Sequence, residues 1–489
     1  MEKNNLQFLL NDKLIEIDFL KEDFLPSTTV LNYLRMQPGF RGTKEGCAEG
    51  DCGACTVVLA EVQHGNLIYK TVDSCLLFLA SIHGKQLITV EHLAEINDNK
   101  IKLHPVQQAM VEHHGSQCGY CTPGFVMSMF GMYKNASATD SEALTDAMAG
   151  NLCRCTGYKP IAEAAQACCK NPEADKFNLQ QPGTIKKLTQ ISAYQSTLEI
   201  FTPKQTYLLP SRLDETLGFR VKYPEAVIIN GATDTAIRQN KLHEFLPCIL
   251  DLSAVEEIKQ QKEGSTFFSL GAGTTLEQFK QFVKTNFPGL MPMLKVFASL
   301  QIRNVATIGG NLSTASPIGD LIPLFFALKA KVKLSSRTGN RLIPVEEYIT
   351  GYRKTCLLQD EILEAVQIPK PEKDILFITE KVSTRRDLDI STVSSTLRLR
   401  LNKENFIEEI AIIYGGMASQ VKRAVTAETY LHGKQWCIEE VERASKLISE
   451  DFTPISDARS GAEYREAAAK NLLLKLYLKS VDTKQGMSL

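Results

Sequence analysis

The sequence predicts a multidomain α+β protein, on three observations. The chain has 489 residues, and a single core stops growing beyond roughly 250–300 residues, so two to four domains are expected. Eight of its 13 cysteines fall early, as two groups of four: Cys47, Cys52, Cys55 and Cys75, then Cys118, Cys121, Cys153 and Cys155. Beyond about residue 200, strand-like and helix-like runs alternate.

Charge and hydropathy remove several function classes. Lys+Arg total 55 against Asp+Glu 56, a net charge of −1, which carries no nucleic-acid footprint. No apolar run approaches the roughly 18–20 residues of a membrane span, and the opening "MEKNNLQFLLNDK" does not read as a leader. A cytoplasmic chain binding neither nucleic acid nor membrane is expected. There, 13 cysteines suit metal ligation or burial better than disulfides.

Residues 1–90 read as a first domain. The stretches "LQFLLNDKLIEIDF" and "CTVVLAEVQHGNLIYKTVDSC" alternate as strands do, and "TTVLNYLRMQ" is helix-like. A small mixed sheet with one helix laid across it is the expectation. The loop "EGCAEGDCGACTVVL" reads C-x4-C-x2-C, with the fourth cysteine after 19 intervening residues, the plant-type [2Fe–2S] spacing in kind. Gly46, Gly50 and Gly53 permit the close backbone approach that turns N–H groups toward cluster sulfurs. Structural zinc is the alternative, although zinc sites usually offer two short cysteine pairs.

Residues 91–170 read as a helical domain. In "SQCGYCTPGFVMSMF" and "GNLCRCTGYKPIAEAA", C-x2-C and C-x-C each precede a helical run opened near a proline, with 31 residues between the pairs. Two helix-leading loops that meet would present four thiolates to an anionic cluster at helix N-termini. Zinc stays open as an alternative here too.

Residues 171–200 show little periodicity and read as a linker. In 201–370, "AVIINGATDTAI", "FFSLGAGTTLEQFKQFV" and "NVATIGGNLSTASPIGDLIPLFFALKAKVKLSS" alternate strand and helix. "GAGTTL" lacks the last glycine of G-x-G-x-x-G, so a dinucleotide-binding Rossmann fingerprint is weak. The glycines of "NGATD" and "TIGGN" can form anion nests for a pyrophosphate, with ordinary tight turns as the alternative. Residues 371–489 carry the strand-like "TLRLRLN" and "IEEIAIIYGGM", then helical patterns, and no catalytic constellation of their own.

Taken together, "GCAEGDCGACTV", "CGYCTPGF" and "GNLCRCTGY" resemble the iron–sulfur half of the molybdenum hydroxylases, the family of xanthine dehydrogenases and aldehyde oxidases. "INGATDTAI", "FASLQIRNVATIGGNLSTASPIGDLIP", "GYRKT" and "EKVSTRRDLDIS" resemble its flavin domain, in the same order. The resemblance implies a β-grasp ferredoxin-like domain with one [2Fe–2S] cluster on Cys47, Cys52, Cys55 and Cys75. It implies a helical domain with a second cluster on Cys118, Cys121, Cys153 and Cys155. An α+β FAD-binding domain of the vanillyl-alcohol-oxidase-like (PCMH) kind and a small α/β C-terminal flavoprotein domain would follow. FAD would be held by Ile229, Asn230, Gly231, Ala232, Thr233 and Asp234, with Thr307, Gly310, Asn311 and Asp320 at its phosphates and ribose. Phe297, Leu363 and Lys381 would serve the ring or its surroundings.

By the same resemblance, Gln117 lies where the family has a glutamine near the molybdenum cofactor, and Tyr352, Arg385 and Arg386 lie where a pyridine nucleotide approaches. The chain is expected to be half an enzyme, since 489 residues of this kind leave no room for a molybdopterin region. Fused iron–sulfur and flavin parts favour the small subunit of a two-component bacterial xanthine dehydrogenase. It would relay electrons from a molybdenum cofactor in a large partner chain to FAD and NAD+ in hypoxanthine and xanthine oxidation to urate, as a dimer of heterodimers. The alternatives are another molybdenum hydroxylase, acting on aldehydes or N-heterocycles, and a zinc-stapled nucleotide-binding protein without turnover.

Overall fold

The computed structural model describes residues 5–97, 100–194 and 196–484; the outermost residues of the expected first and last domains lie outside these. The chain forms two compact units, residues 1–256 with 298–306, and residues 257–297 with 307–489.

The first unit opens with a mixed five-stranded sheet. Its strands, in spatial order, are Lys13–Asp18, Asn5–Leu10, Gln86–Ile88, Thr56–Gln63 and Asn66–Asp73. Asn5–Leu10 runs parallel to Gln86–Ile88, and the other pairings are antiparallel. The hairpin at Gln63–Asn66 closes through His64 (φ 49°) and Gly65 (φ 79°), the paired left-handed residues of a tight type I′ turn. Across the sheet lies the helix Val30–Met36, which buries Val30, Leu31, Tyr33 and Leu34. Thr29 caps it by accepting from the Asn32 N–H, and Gln37 leaves helical φ/ψ because Pro38 follows. This is the β-grasp arrangement expected of the first domain.

Next come the helices Pro105–Glu112, Thr122–Lys134, Ser141–Met148 and Lys159–Cys169. The central one, Thr122–Lys134, is buried from Gly124 through Tyr133. Its N-cap Cys121 makes no side-chain capping bond, so burial positions it: large apolar side chains contribute about 1.5–3 kcal/mol each when fully buried.

The stretch 171–200, expected to be an irregular linker, contains the 19-residue helix Lys176–Tyr194. Pro182 interrupts its bonding, at a cost of about 3 kcal/mol. Phe177, Leu188 and Ile191 are buried in the same core as Phe130 and Met129, and Phe130 and Phe177 sit 4.8 Å apart. The buried positions are few and straddle the proline, so no apolar period shows in the sequence.

The first unit also contains the sheet Val227–Ile229, Cys248–Asp251, Thr206–Leu209 and Leu198–Phe201, parallel except at its last pair. Leu198, Ile200, Tyr207 and Ile249 share one core with Leu6, Phe8 and Phe78, and Gln205 bonds the Ser27 backbone N–H and hydroxyl. The expected boundary near residue 200 is therefore no boundary in packing.

In the second unit, Gln261–Glu263, Phe267–Gly271, Ile362–Pro369, Lys331–Ser336 and Gly339–Pro344 form an antiparallel sheet in that order. A second antiparallel sheet, Ile375–Val382, Val393–Leu401, Ile407–Gly415 and Lys422–Arg423, packs on the helices Val425–Leu431, Ile438–Asp451 and Ala462–Lys484. No helix among the described residues is long and apolar enough to cross a membrane.

Candidate functional site

The eight cysteines gather as pairs within each set. Cys55 and Cys75 are both buried, with sulfurs 3.4 Å apart. Cys47 bonds Cys52 and also accepts from backbone N–H groups, Asp51 N–H at 3.3 Å among them. In the second set Cys118 bonds Cys155, and Cys121 bonds Cys153. Among the described residues no three metal-ligating side chains converge on one point. The grouping is two by two, as two irons bridged by sulfides require, whereas one zinc ion needs four ligands around a single centre.

The electrostatics follow this pairing. The Cys52 thiol and the loop N–H groups bring Cys47 down to about 5, while Cys47 holds Cys52 up. Backbone donation at Tyr120 and the Cys155 thiol lower Cys118, and Cys155 is raised by Cys118. Burial and then Cys153 push Cys121 to about 12. Cys153, despite its own burial, is brought to about 7 by Thr156 and backbone N–H groups. In each of these three pairs one sulfur is shifted toward the thiolate, the form that ligates metal.

Cys118 and Cys155 are exposed, as is Gln117 beside them, whereas Cys55 and Cys75 are buried. Cys118 and Cys155 of the second set thus lie at a surface, whereas Cys55 and Cys75 of the first lie deeper. The sequence reading missed Asp73, which is buried, receives the Cys55 thiol at 3.5 Å and leaves its second oxygen unpartnered. Burial pushes its carboxyl up to about 8. It also missed Ser128, Asn151 and Gln301, buried polar groups between the two cysteine loops.

Of the residues expected at FAD, Ile229–Asp234 belong to the first unit and the others to the second. Strand Val227–Ile229 ends at Asn230; Gly231 (φ 88°) and Ala232 (φ 57°) are consecutive left-handed residues before the helix Thr235–Leu242. Such a turn presents successive N–H groups to an anion. In the second unit Thr307 caps Ile308–Thr314, its hydroxyl accepting from Gly310 N–H at 3.1 Å. Asn311 keeps a buried Oδ1 with no partner, an acceptor available to a ligand. Phe297 is half-buried at the end of the helix Met291–Val296.

Asp320 is held in a buried ion pair. Ser391 donates to one carboxylate oxygen at 2.5 Å and Lys381 pairs with the other at 2.9 Å, both charged side chains being buried. The two are brought together as an ion pair. Leu363 is buried in its strand opposite Leu334. Tyr352 is exposed, and Arg385 pairs with Asp389 at 3.6 Å.

Three protein families match in the order of the chain: "[2Fe-2S] binding domain" over residues 89–166, "FAD binding domain in molybdopterin dehydrogenase" over 182–371, and "CO dehydrogenase flavoprotein C-terminal domain" over 379–480. Fold and paired thiols together define an iron–sulfur flavoprotein. The chain is 32% identical over 528 aligned residues to a xanthine dehydrogenase/oxidase of Rattus norvegicus, covering 98% of this chain and 39% of that one. Xanthine dehydrogenase 1 of Arabidopsis thaliana is 31% identical, with 93% of this chain and 38% of that one covered. The chain belongs to the molybdenum hydroxylase family, and it spans about two fifths of the length of these relatives. Its fold is shared with quinoline 2-oxidoreductase of Pseudomonas putida 86 (24% identity, TM-score 0.53, 57% of this chain and 98% of that chain). It is shared too with a carbon monoxide dehydrogenase of Hydrogenophaga pseudoflava (22% identity, TM-score 0.53, 56% and 96%).

Proposed function

We propose that the chain is the electron-relay subunit of a two-component xanthine dehydrogenase. Electrons taken from a purine at a molybdenum cofactor in a large partner chain would cross two [2Fe–2S] clusters to FAD and leave on NAD+. Iron–sulfur clusters pass single electrons, and a flavin accepts them singly yet delivers a hydride. The observation that carries this reading is the two-by-two grouping of eight cysteines, which suits two di-iron centres.

The chain's own residues divide the work. Cys118 and Cys155, at the surface beside Gln117, suit entry of electrons from a partner. Cys55 and Cys75 hold the deeper centre in a dry site. In the first unit the nest at Gly231–Ala232 suits a pyrophosphate; in the second, the free acceptor of Asn311 suits a hydroxyl or amide donor of a ligand, and Asp320 and Lys381 form a buried pair. By sequence the domains are 1–90, 91–170, 201–370 and 371–489; in packing, the helix Lys176–Tyr194 joins the core of the helical domain, and residues up to 256 belong to the first unit. Thirteen unpaired thiols suit the reducing cytoplasm, and a dimer of heterodimers is the proposed assembly.

A second reading is an iron–sulfur and flavin subunit of another molybdenum hydroxylase, favoured by the shared fold with an enzyme of quinoline and one of carbon monoxide. Similarity to xanthine dehydrogenases across 98% of the chain supports the first. The test is the absorption spectrum and metal content of the purified chain. Red-brown protein with flavin bands and about four irons, two per cluster, supports the relay; colourless protein carrying zinc overturns both readings. Xanthine against quinoline or aldehyde turnover, with the partner added, separates the two.

A further inference from the structure

Two centres that exchange single electrons need a fixed separation, because tunnelling falls steeply with distance and less steeply through bonds than across gaps. In the first unit the two cysteine loops meet backbone to backbone. Leu152 N–H donates to the Cys52 carbonyl at 3.0 Å, and a Cβ on Gly53 would come within 2.2 Å of the Gly150 carbonyl. Cys52 belongs to the first set, and Leu152 is bonded to Cys153 of the second. From one ligand sulfur to the other, the path is covalent except for this one hydrogen bond.

A buried polar knot lies over the contact. The Thr56 hydroxyl donates to the Gly53 carbonyl at 2.7 Å, and the Ser128 hydroxyl donates to Asn151 Oδ1 at 2.6 Å. Asn151 Nδ2 in turn donates to Gly53 O at 3.0 Å and to Thr56 Oγ1 at 3.1 Å. Both hydroxyl protons are thereby committed, so whatever faces these oxygens must donate. Gln301, fully buried, does so: its Nε2 reaches Asn151 Oδ1 at 3.1 Å, Ser128 Oγ at 3.2 Å and Thr56 Oγ1 at 3.4 Å. Its Oε1 is buried without a partner, against Gly150, where a Cβ would stand 2.2 Å away.

Leaving that oxygen unmet is costly, and the rest of the segment 298–306 keeps it there. Arg303, buried, pairs with Asp146 at 2.7 Å, and Asn304 Nδ2 donates to the Thr71 carbonyl at 2.9 Å. Thr56 follows Cys55, Ser128 lies on the helix that begins after Cys121, and Asn151 stands two residues before Cys153. One amide thus ties together the supports of both cysteine sets.

Resting on the relay reading, we propose that Gln301 is a positioning residue for electron exchange between the two centres. By holding Thr56, Ser128 and Asn151 it keeps the Cys52 carbonyl closed on Leu152 N–H, and this contact is the route of exchange. One electron leaves the Cys153 side and arrives on the Cys52 side; the donor is oxidised by one electron, the acceptor is reduced by one, and no bond or proton changes hands.

The test uses the full chain with iron and flavin loaded. Gln301→Met keeps length and volume while removing the donor. Iron content and each centre's own paramagnetic resonance spectrum are expected to stay, while the magnetic splitting between the reduced centres narrows. Redistribution of a flash-supplied electron between them should slow several-fold, because opening the one hydrogen bond turns the path there into a through-space gap. Unchanged splitting and unchanged rate at full iron overturn the clamp. Should Gln301→Met not fold, Ser128→Ala removes one of the same acceptors and is expected to slow the exchange several-fold, and a full rate there overturns the proposal equally. An unmutated chain that binds no iron, or one centre only, overturns the relay reading itself and the clamp with it, a result distinct from two intact centres that exchange normally.

Discussion

Gly124 shows how one hydrogen atom governs the meeting of the cysteine loops. It lies in the first turn of the helix Thr122–Lys134, where alanine ordinarily gains about 1 kcal/mol over glycine. Here a Cβ would stand 2.2 Å from the Gly53 carbonyl and 3.0 Å from Asn151 Nδ2, and backbone cannot move aside as a flexible side chain can. Overpacking costs about 1–3 kcal/mol, which outweighs the propensity gain. Gly124→Ala is therefore expected to lower iron content and thermal stability together, and full iron at an unchanged melting temperature would contradict the contact. The cysteines themselves are legible in the sequence, since ligand spacing is local. Gln301 is not: its partners Asn151, Ser128 and Thr56 lie 150, 173 and 245 residues away, and no short pattern joins them.

Among the elements, those with local stop and start signals were readable. Thr29 and Pro38 bracket the helix Val30–Met36, and Pro123 and Pro160 open the helices behind the second cysteine set. The helix Lys176–Tyr194 was not, because its anchor is tertiary. Asp175, just before it, pairs with Lys134 at 2.7 Å and His104 at 3.0 Å, all three side chains buried. Burial raises the Asp175 carboxyl, but hydrogen bonds from His104 and Lys134 outweigh it and hold the group at about 2, below its ordinary 3.8. A depressed folded pKa gives stability that is present above 3.8 and lost as pH falls through 2, a contribution of about 2 kcal/mol. Asp175→Asn strands the Lys134 charge, which keeps Asn178 Oδ1 at 2.7 Å. At neutral pH the variant should be about 3 kcal/mol less stable, the low end for breaking a buried pair. Denaturant melts should show the gap narrowing as pH falls from about 5 toward and below 2, as the wild type loses its own carboxylate. A gap that is constant with pH would mean the pair is not the anchor.

For the molecule as a whole, the order of cofactor-binding domains was legible while their packing was not, because Leu198, Tyr207 and Ile249 of the flavin region build one core with the first sheet. On the proposed function the reaction divides into a part this chain does alone and a part it does not. Oxidation of NADH by an artificial acceptor needs a flavin and a nicotinamide site, both assigned here to this chain. Oxidation of xanthine needs the molybdenum cofactor, assigned to the partner. The isolated, FAD-loaded chain is expected to oxidise NADH with the artificial acceptor and to leave xanthine untouched, with the partner restoring the coupled reaction. Phe297→Ala should slow the NADH step, since a flavin ring without its packing aromatic is less well held in reacting geometry, while iron content stays the same. Xanthine turnover by this chain alone would overturn the division of labour. Failure with NADH, with FAD verified as bound, would move the electron acceptor away from nicotinamide, while the route through the paired cysteines would stand on its own spectroscopic test.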